Sequence, residues 1–151
     1  RERHRYKQQL RMSRQEVREE VKELEGNPLI KARIRRLQRD LARRRMMNDV
    51  KTATAVVVNP THYAVAIRYQ MEVMAAPVVV AKGRNYLAQR IREIALAHQV
   101  PLIENPPLAQ ALYKTAKVGH PIPLPLYRAV AEVLAYIYRL MNGRLPGPGP
   151  R

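Results

Sequence analysis

The chain has 151 residues, no cysteine and a formal net charge of +16. That length allows one modest globular core with extensions, and the missing cysteine excludes disulfides, thiolate catalysis and cysteine-ligated metal sites together. A hydrophobic content of 46% is ordinary for a folded domain, and no run approaches the roughly 18 apolar residues of a membrane-crossing helix, so the chain as it stands is expected to be soluble.

Residues 1–25 read as a helix with a thin apolar stripe of Leu10, Val17, Val21 and Leu24. Ser13-Arg14-Gln15-Glu16 matches a capping box that would restart the helix there. So thin a stripe buries little, and an exposed linker helix ended by Gly26 is expected. A second helix is expected from Pro28 to Met47, with Ile30, Ile34, Leu37 and Leu41 at helical spacing. Its last turn carries Arg43 to Arg45, where cations suit the helix dipole. Residues 1–50 hold 16 Lys/Arg and 8 Asp/Glu, and residues 51–151 hold 12 and 4, so each part carries +8 and the first is denser.

From Thr54 the pattern turns strand-like. Val56 to Val58 are consecutive and β-branched, as in a strand covered on both faces. After Asn59-Pro60-Thr61-His62, the alternation of Tyr63, Val65, Ile67 and Tyr69 with Ala64, Ala66 and Arg68 predicts a second strand. Pro77 to Ala81 predicts a third, ended by a turn at Lys82-Gly83. A helix is expected over 84–98 with Leu87, Ile91, Ile94 and Ala95 inward, then a short strand over 101–104. Two helices come next, over 106–117 and 125–141, the last burying Leu126, Val130, Val133, Leu134 and Ile137. The expected fold class is α/β: a small four-stranded sheet flanked by helices, with at least one parallel pairing, preceded by a long exposed N-terminal linker helix. The expected organisation is a charged linker over 1–50, a globular domain over 51–141, and a disordered Pro/Gly-rich tail over 142–151.

Charge of this size also suits nucleic acid, but its arrangement argues otherwise. Arg14 and Arg18 alternate with Glu16, Glu19 and Glu20 as on a solvated helix face. All eight aromatics are tyrosine, and no Lys/Arg-Gly-aromatic cluster of the RNA-recognition kind occurs. A basic nucleic-acid-binding module therefore ranks below an anionic membrane surface or an acidic protein partner. Arg1, Arg3, Arg5 and Lys7 at the start suit the inner side of a bilayer. His4, His98 and His120 have no partners at metal-ligand spacing, and Lys82-Gly83 lacks the glycines of a phosphate loop. Tyr127, Tyr136 and Tyr138 read as packing residues.

Asn-Pro occurs three times, at Asn27-Pro28, Asn59-Pro60 and Asn105-Pro106. Asn27 and Asn105 each precede an amphipathic helix with Pro at its first position, the arrangement of an N-cap whose side-chain oxygen accepts a backbone N–H. Asn59 has strand pattern on both sides, so no cap explains it and a tight turn is the plain alternative. Its chemistry has one distinctive feature. Pro60 has no N–H, which closes the usual deamidation route of backbone-nitrogen attack on the Asn side chain. The reverse attack remains open: the Asn59 carboxamide nitrogen closes a five-membered ring on its own main-chain carbonyl and expels Pro60. His62 is a proton acceptor or orienting group near neutral pH, Thr61 can position the turn, and strands on both sides hold near-attack geometry.

Asn59-Pro60-Thr61-His62 resembles the NPTH self-cleavage motif of the FlhB/YscU/SpaS export-switch proteins of bacterial type III secretion. Further blocks agree: 11–17, Arg43-Arg44-Arg45-Met46-Met47, 76–83, 90–94, Glu104-Asn105-Pro106-Pro107-Leu108-Ala109 and 129–136. The Arg-Met-Met run and the 104–109 block are most similar to the flagellar branch, with the injectisome branch as the alternative. The resemblance implies a cytoplasmic domain carried by an integral protein at the cytoplasmic face of the bacterial inner membrane. It implies cleavage between Asn59, as nucleophile and cleaved carbonyl, and Pro60, as leaving group, with Thr61 and His62 assisting. The cut would switch export from rod and hook-type to filament-type substrates. It is a single turnover on its own backbone, without cofactor, metal or trans-acting activity. Implied partners are other export-gate components, the hook-length control protein, and export substrates with their chaperones.

Overall fold

In a computed structural model, residues 2–143 and 145 are described, residues 2–12 by their backbone alone. Two compact units divide at Ala42 and Arg43, inside a helix, whereas composition placed the boundary at 50/51.

The first unit is helical. Helix α1 runs Glu2–Gly26 without interruption, and α2, Pro28–Asp49, begins in it. Ser13 therefore lies mid-helix and restarts nothing, because a serine inside a helix costs only tenths of a kcal/mol relative to good helix formers. Asn27 caps α2: its side-chain oxygen accepts the Leu29 N–H at 2.9 Å. Val17, Val21, Leu24, Leu37 and Leu41 are all exposed, as a thin stripe implies.

The second unit is an α/β sandwich. After a 3-10 turn at Val50–Thr52 come β1 (Ala55–Asn59), β2 (Tyr63–Arg68), β3 (Val78–Arg84), helix α3 (Tyr86–Ala97), β4 (Leu102–Glu104), α4 (Pro106–Thr115) and, after a 3-10 turn at Leu124–Leu126, α5 (Tyr127–Leu140). The sheet order is β3-β2-β1-β4. β1 pairs antiparallel with β2 and parallel with β4, so the strand that ends in Asn59 is laddered on both edges. At its start the buried Thr54 hydroxyl accepts the Tyr69 N–H at 2.9 Å and bonds the Tyr69 carbonyl at 3.2 Å, extending the hairpin by one side chain.

Both faces of the sheet are covered, which is why β1 reads as continuous valine. Val57, Val65, Ile67 and Val79 pack under α4 and α5 with Leu108, Leu112, Val130 and Ile137. Val56, Val58, Ala64 and Ala66 pack under α3 with Ala88, Ile91 and Ala95, joined by Val50, Met46 and Met47. The register slips between Ala66 and Ile67, leaving Val80 as the unpaired residue of a bulge, so Val80 and Ala81 both join the α3 side.

The turn expected at Lys82-Gly83 needs correction. Neither residue makes a turn; β3 continues through both to Arg84. A Cβ on Gly83 would lie 2.7 Å from the Leu87 Cβ, so glycine is there to let α3 approach the sheet. Lys82 reaches the other way and caps α4, donating to the carbonyls of Tyr113 at 3.0 Å and Ala116 at 2.7 Å. Leu126, expected in the last helix, sits half-buried in the turn before it. Tyr127, Tyr136 and Tyr138, expected to pack, are all exposed; Tyr127 and Tyr138 line an apolar groove of about 590 Å³ with Tyr69, Pro77 and Leu134. Of the tail, Asn142 and Gly143 take left-handed backbone and close the end of α5, with Gly143 donating to the Tyr138 carbonyl at 2.9 Å. Leu145 packs on the core. The rest of the expected disorder lies outside the described residues.

Candidate self-cleavage turn

Asn59 is the last residue of β1 and faces Tyr63, the first of β2. The His62 N–H donates to the Asn59 carbonyl at 3.0 Å, closing a β-turn with Pro60 at its second position, where the ring presets φ. Neither Pro60 nor Thr61 has a left-handed φ, as in a type I turn rather than a type II. Asn59 is half-buried, and Pro60, Thr61 and His62 are exposed. Thus the sequence-predicted residues form one contiguous turn at the end of the β1–β2 hairpin.

The Asn59 carboxamide forms no hydrogen bond among the described residues. That separates it from the other two Asn-Pro pairs. Asn105 accepts the Leu108 N–H on its side-chain oxygen at 3.3 Å, and Asn27 accepts that of Leu29. A carboxamide held in a cap points at the helix and away from its own carbonyl; one with no partner is free to rotate onto it.

The side chains of Thr61 and His62 meet, Oγ1 to Nδ1, at 2.5 Å. If Nδ1–H donates to the hydroxyl, Nε2 is left as the proton acceptor; if the hydroxyl donates, the imidazole proton sits on Nε2. Either way Thr61 fixes the ring's orientation. The hydrogen bond that reaches the Asn59 carbonyl comes from the His62 main chain, while the imidazole is engaged by Thr61.

Two further anchors come from α3 and its N-terminal corner. The Asn85 N–H donates to the His62 carbonyl at 3.0 Å, and the Arg92 guanidinium donates to the Pro60 carbonyl. Asn85 holds φ 53° and ψ −116°, a conformation rarely adopted by a non-glycine residue. Sequence reasoning missed both residues. They lie 23 and 32 positions from their partners, and no local pattern announces such contacts. On the other flank the Asn105 N–H donates to the Val58 carbonyl at 3.0 Å, pinning the residue before Asn59. Tyr63, directly after the turn, stacks on Tyr113 with ring centroids 4.7 Å apart.

Residues 1–137 match the model of the FlhB HrpN YscU SpaS family. The chain belongs to that family. It is 56% identical over 138 residues to the flagellar biosynthetic protein FlhB of Salmonella typhimurium, covering 91% of this chain and 36% of the relative. Against FlhB of Aquifex aeolicus it is 48% identical over 132 residues, covering 87% and 38%. It spans little more than a third of the length of these curated relatives. Among solved structures, the cytoplasmic domain of FlhB from Shewanella putrefaciens superposes with a TM-score of 0.61 at 44% identity, covering 72% of this chain and 87% of that one. A mutated EscU C-terminal domain superposes at 0.58 with 31% identity, covering 60% and 91%. The four-stranded sheet with its flanking helices is thus the fold of the family's cytoplasmic domains. Among the described residues no helix is long and apolar enough to cross a membrane.

Proposed function

We propose that this chain is the cytoplasmic part of a flagellar type III export component, and that it cuts its own backbone between Asn59 and Pro60 to change export from rod and hook-type to filament-type substrates. The observation that carries the proposal is the Asn59 carboxamide, without a hydrogen-bond partner among the described residues, at a turn whose own carbonyl is already hydrogen-bonded.

In the proposed step, Asn59 Nδ2 bonds to the Asn59 carbonyl carbon, and the negative charge that develops on the carbonyl oxygen meets the His62 N–H, placed as an oxyanion donor. The carbon–nitrogen bond to Pro60 breaks. The proton lost by the carboxamide ends on the Pro60 nitrogen, with the His62 imidazole as carrier, and Pro60 leaves as a secondary amine. Residue 59 is left as a five-membered succinimide, which water opens. The reaction is intramolecular and single-turnover, and its rate advantage lies in holding the two reacting groups of one residue in place.

The pieces stay together. Ala55, Val56 and Val57 are fully buried, each valine worth about 1.5–3 kcal/mol of burial, and β1 keeps ladders on both edges. The change is confined to the freed segment Pro60–His62, a local order–disorder event at a partner-facing surface. Export-gate components, the hook-length control protein and export substrates with their chaperones are the proposed readers of that surface, at the cytoplasmic face of the inner membrane. The higher identity to flagellar relatives than to EscU supports the flagellar reading over the injectisome one.

The test is an intact-mass measurement on the purified, natively folded chain. Two pieces, 1–59 and 60–151, are expected. An uncut chain, or a break at either other Asn-Pro, would overturn the proposal.

A further inference from the structure

The Pro60 turn is gripped from outside the hairpin at two carbonyls, and only one grip is a side chain. Arg92 lies two turns into α3, half-buried, with Ile91 beside it fully buried in the core, so the helix gives its guanidinium a fixed base. It donates to the Pro60 carbonyl, the first acceptor after the bond proposed to break. Among the described residues no acidic side chain competes for it: Glu93 is taken by Arg90 at 2.9 Å. Asn85, at the head of the same helix, holds the His62 carbonyl by its main chain.

We infer that Arg92 is a positioning residue for the Asn59–Pro60 cleavage, acting through the Pro60 carbonyl. This rests on the self-cleavage reading above. Nδ2 adds across the face of the Asn59 carbonyl and the Pro60 nitrogen leaves from the resulting tetrahedral carbon, so the orientation of the Pro60 ring, held on its far side through the Pro60 carbonyl, bears on the departure of that nitrogen. The hairpin fixes Asn59 through β1, but nothing in β1 or β2 fixes the Pro60 carbonyl. Arg92 supplies that constraint from an element that the cut does not sever. Guanidinium presents planar, always-charged donors, which hold a carbonyl's direction better than a mobile ammonium. A misplacement of the order of an ångström in an intramolecular reaction costs up to about a hundredfold in rate.

The experiment tracks cleavage of the newly synthesised full chain by pulse labelling, gel and mass, in wild type, Arg92→Ala, Arg92→Lys and Asn59→Ala. Thermal melting is compared between Asn59→Ala and the Asn59→Ala/Arg92→Ala double variant, neither of which can cut. The expected result is cleavage slowed about tenfold or more in Arg92→Ala, an intermediate rate in Arg92→Lys, and equal melting temperatures for the two uncut variants. Cleavage of Arg92→Ala within about twofold of wild type overturns this inference and leaves the self-cleavage reading standing. A lowered melting temperature in the double variant overturns it as well, because the slowing then belongs to the fold. A wild type that stays whole overturns the reading on which it depends, and this inference with it.

Discussion

Asn59 and Asn105 end neighbouring parallel strands. Val58 faces Glu104 in the β1–β4 ladder, each strand then reaches asparagine, and each asparagine is succeeded by proline. From there they diverge. At Asn105 the chain enters α4, with Pro106 at the first helical position and the Asn oxygen on the Leu108 N–H. At Asn59 it turns back into β2, and the carboxamide takes no partner among the described residues. The same dipeptide, at the same end of the same sheet, is a stabilising cap in one place and a candidate reactant in the other. What decides between them is the use made of one amide group, which the next secondary-structure element dictates.

The sharpest way to break the contrast is Asn59→Ala, for which intact mass should show one uncut chain with a native circular dichroism spectrum. Pro60→Ala should change the product rather than only the rate. It restores an N–H at residue 60, reopening backbone attack on the Asn59 side chain, so mass spectrometry should find deamidation at Asn59 competing with cleavage. His62→Ala removes the proposed proton carrier but keeps the main-chain N–H on the carbonyl, and gel densitometry should show cleavage slowed by about 10²–10⁴. The smallest effect belongs to Asn105→Ala. Losing the cap should cost about 1 kcal/mol in denaturant unfolding, read in the Asn59→Ala background, while cleavage at Asn59–Pro60 proceeds as in wild type. A rate lost with Asn105 would mean that the cap and the turn are one device.

Much of the fold and of the turn was legible in the sequence because it is local. Val56–Val58 announced a two-sided strand, the alternation through Ile67 a second, and the three Asn-Pro pairs sorted themselves by whether a helix or a strand comes next. The failures share one cause. Gly83 looked like a turn because glycine is common there, yet its role is set by Leu87 pressing on it from α3. Ser13 is the exception: it looked like a helix start, yet the helix runs through it unbroken. Nothing in the local pattern announced the contacts of Arg92 and Asn85, since their partners are brought near by the folding of β3 and α3 against the hairpin. Periodicity reports what a residue does within its element; contacts made across elements, which complete the turn, leave no such trace.

β1 lies between two strands that both come later in the chain. Opening the bond after Asn59 therefore makes the domain a heterodimer of its own parts, with β1 as the inserted strand. While the chain is continuous, the hairpin keeps β1 beside β2 at an effective concentration on the order of millimolar. After the cut, unfolding is also dissociation, so the melting midpoint rises with protein concentration, and a strand once withdrawn returns only by second-order encounter. A fold indifferent to dilution becomes one that dilution can take apart.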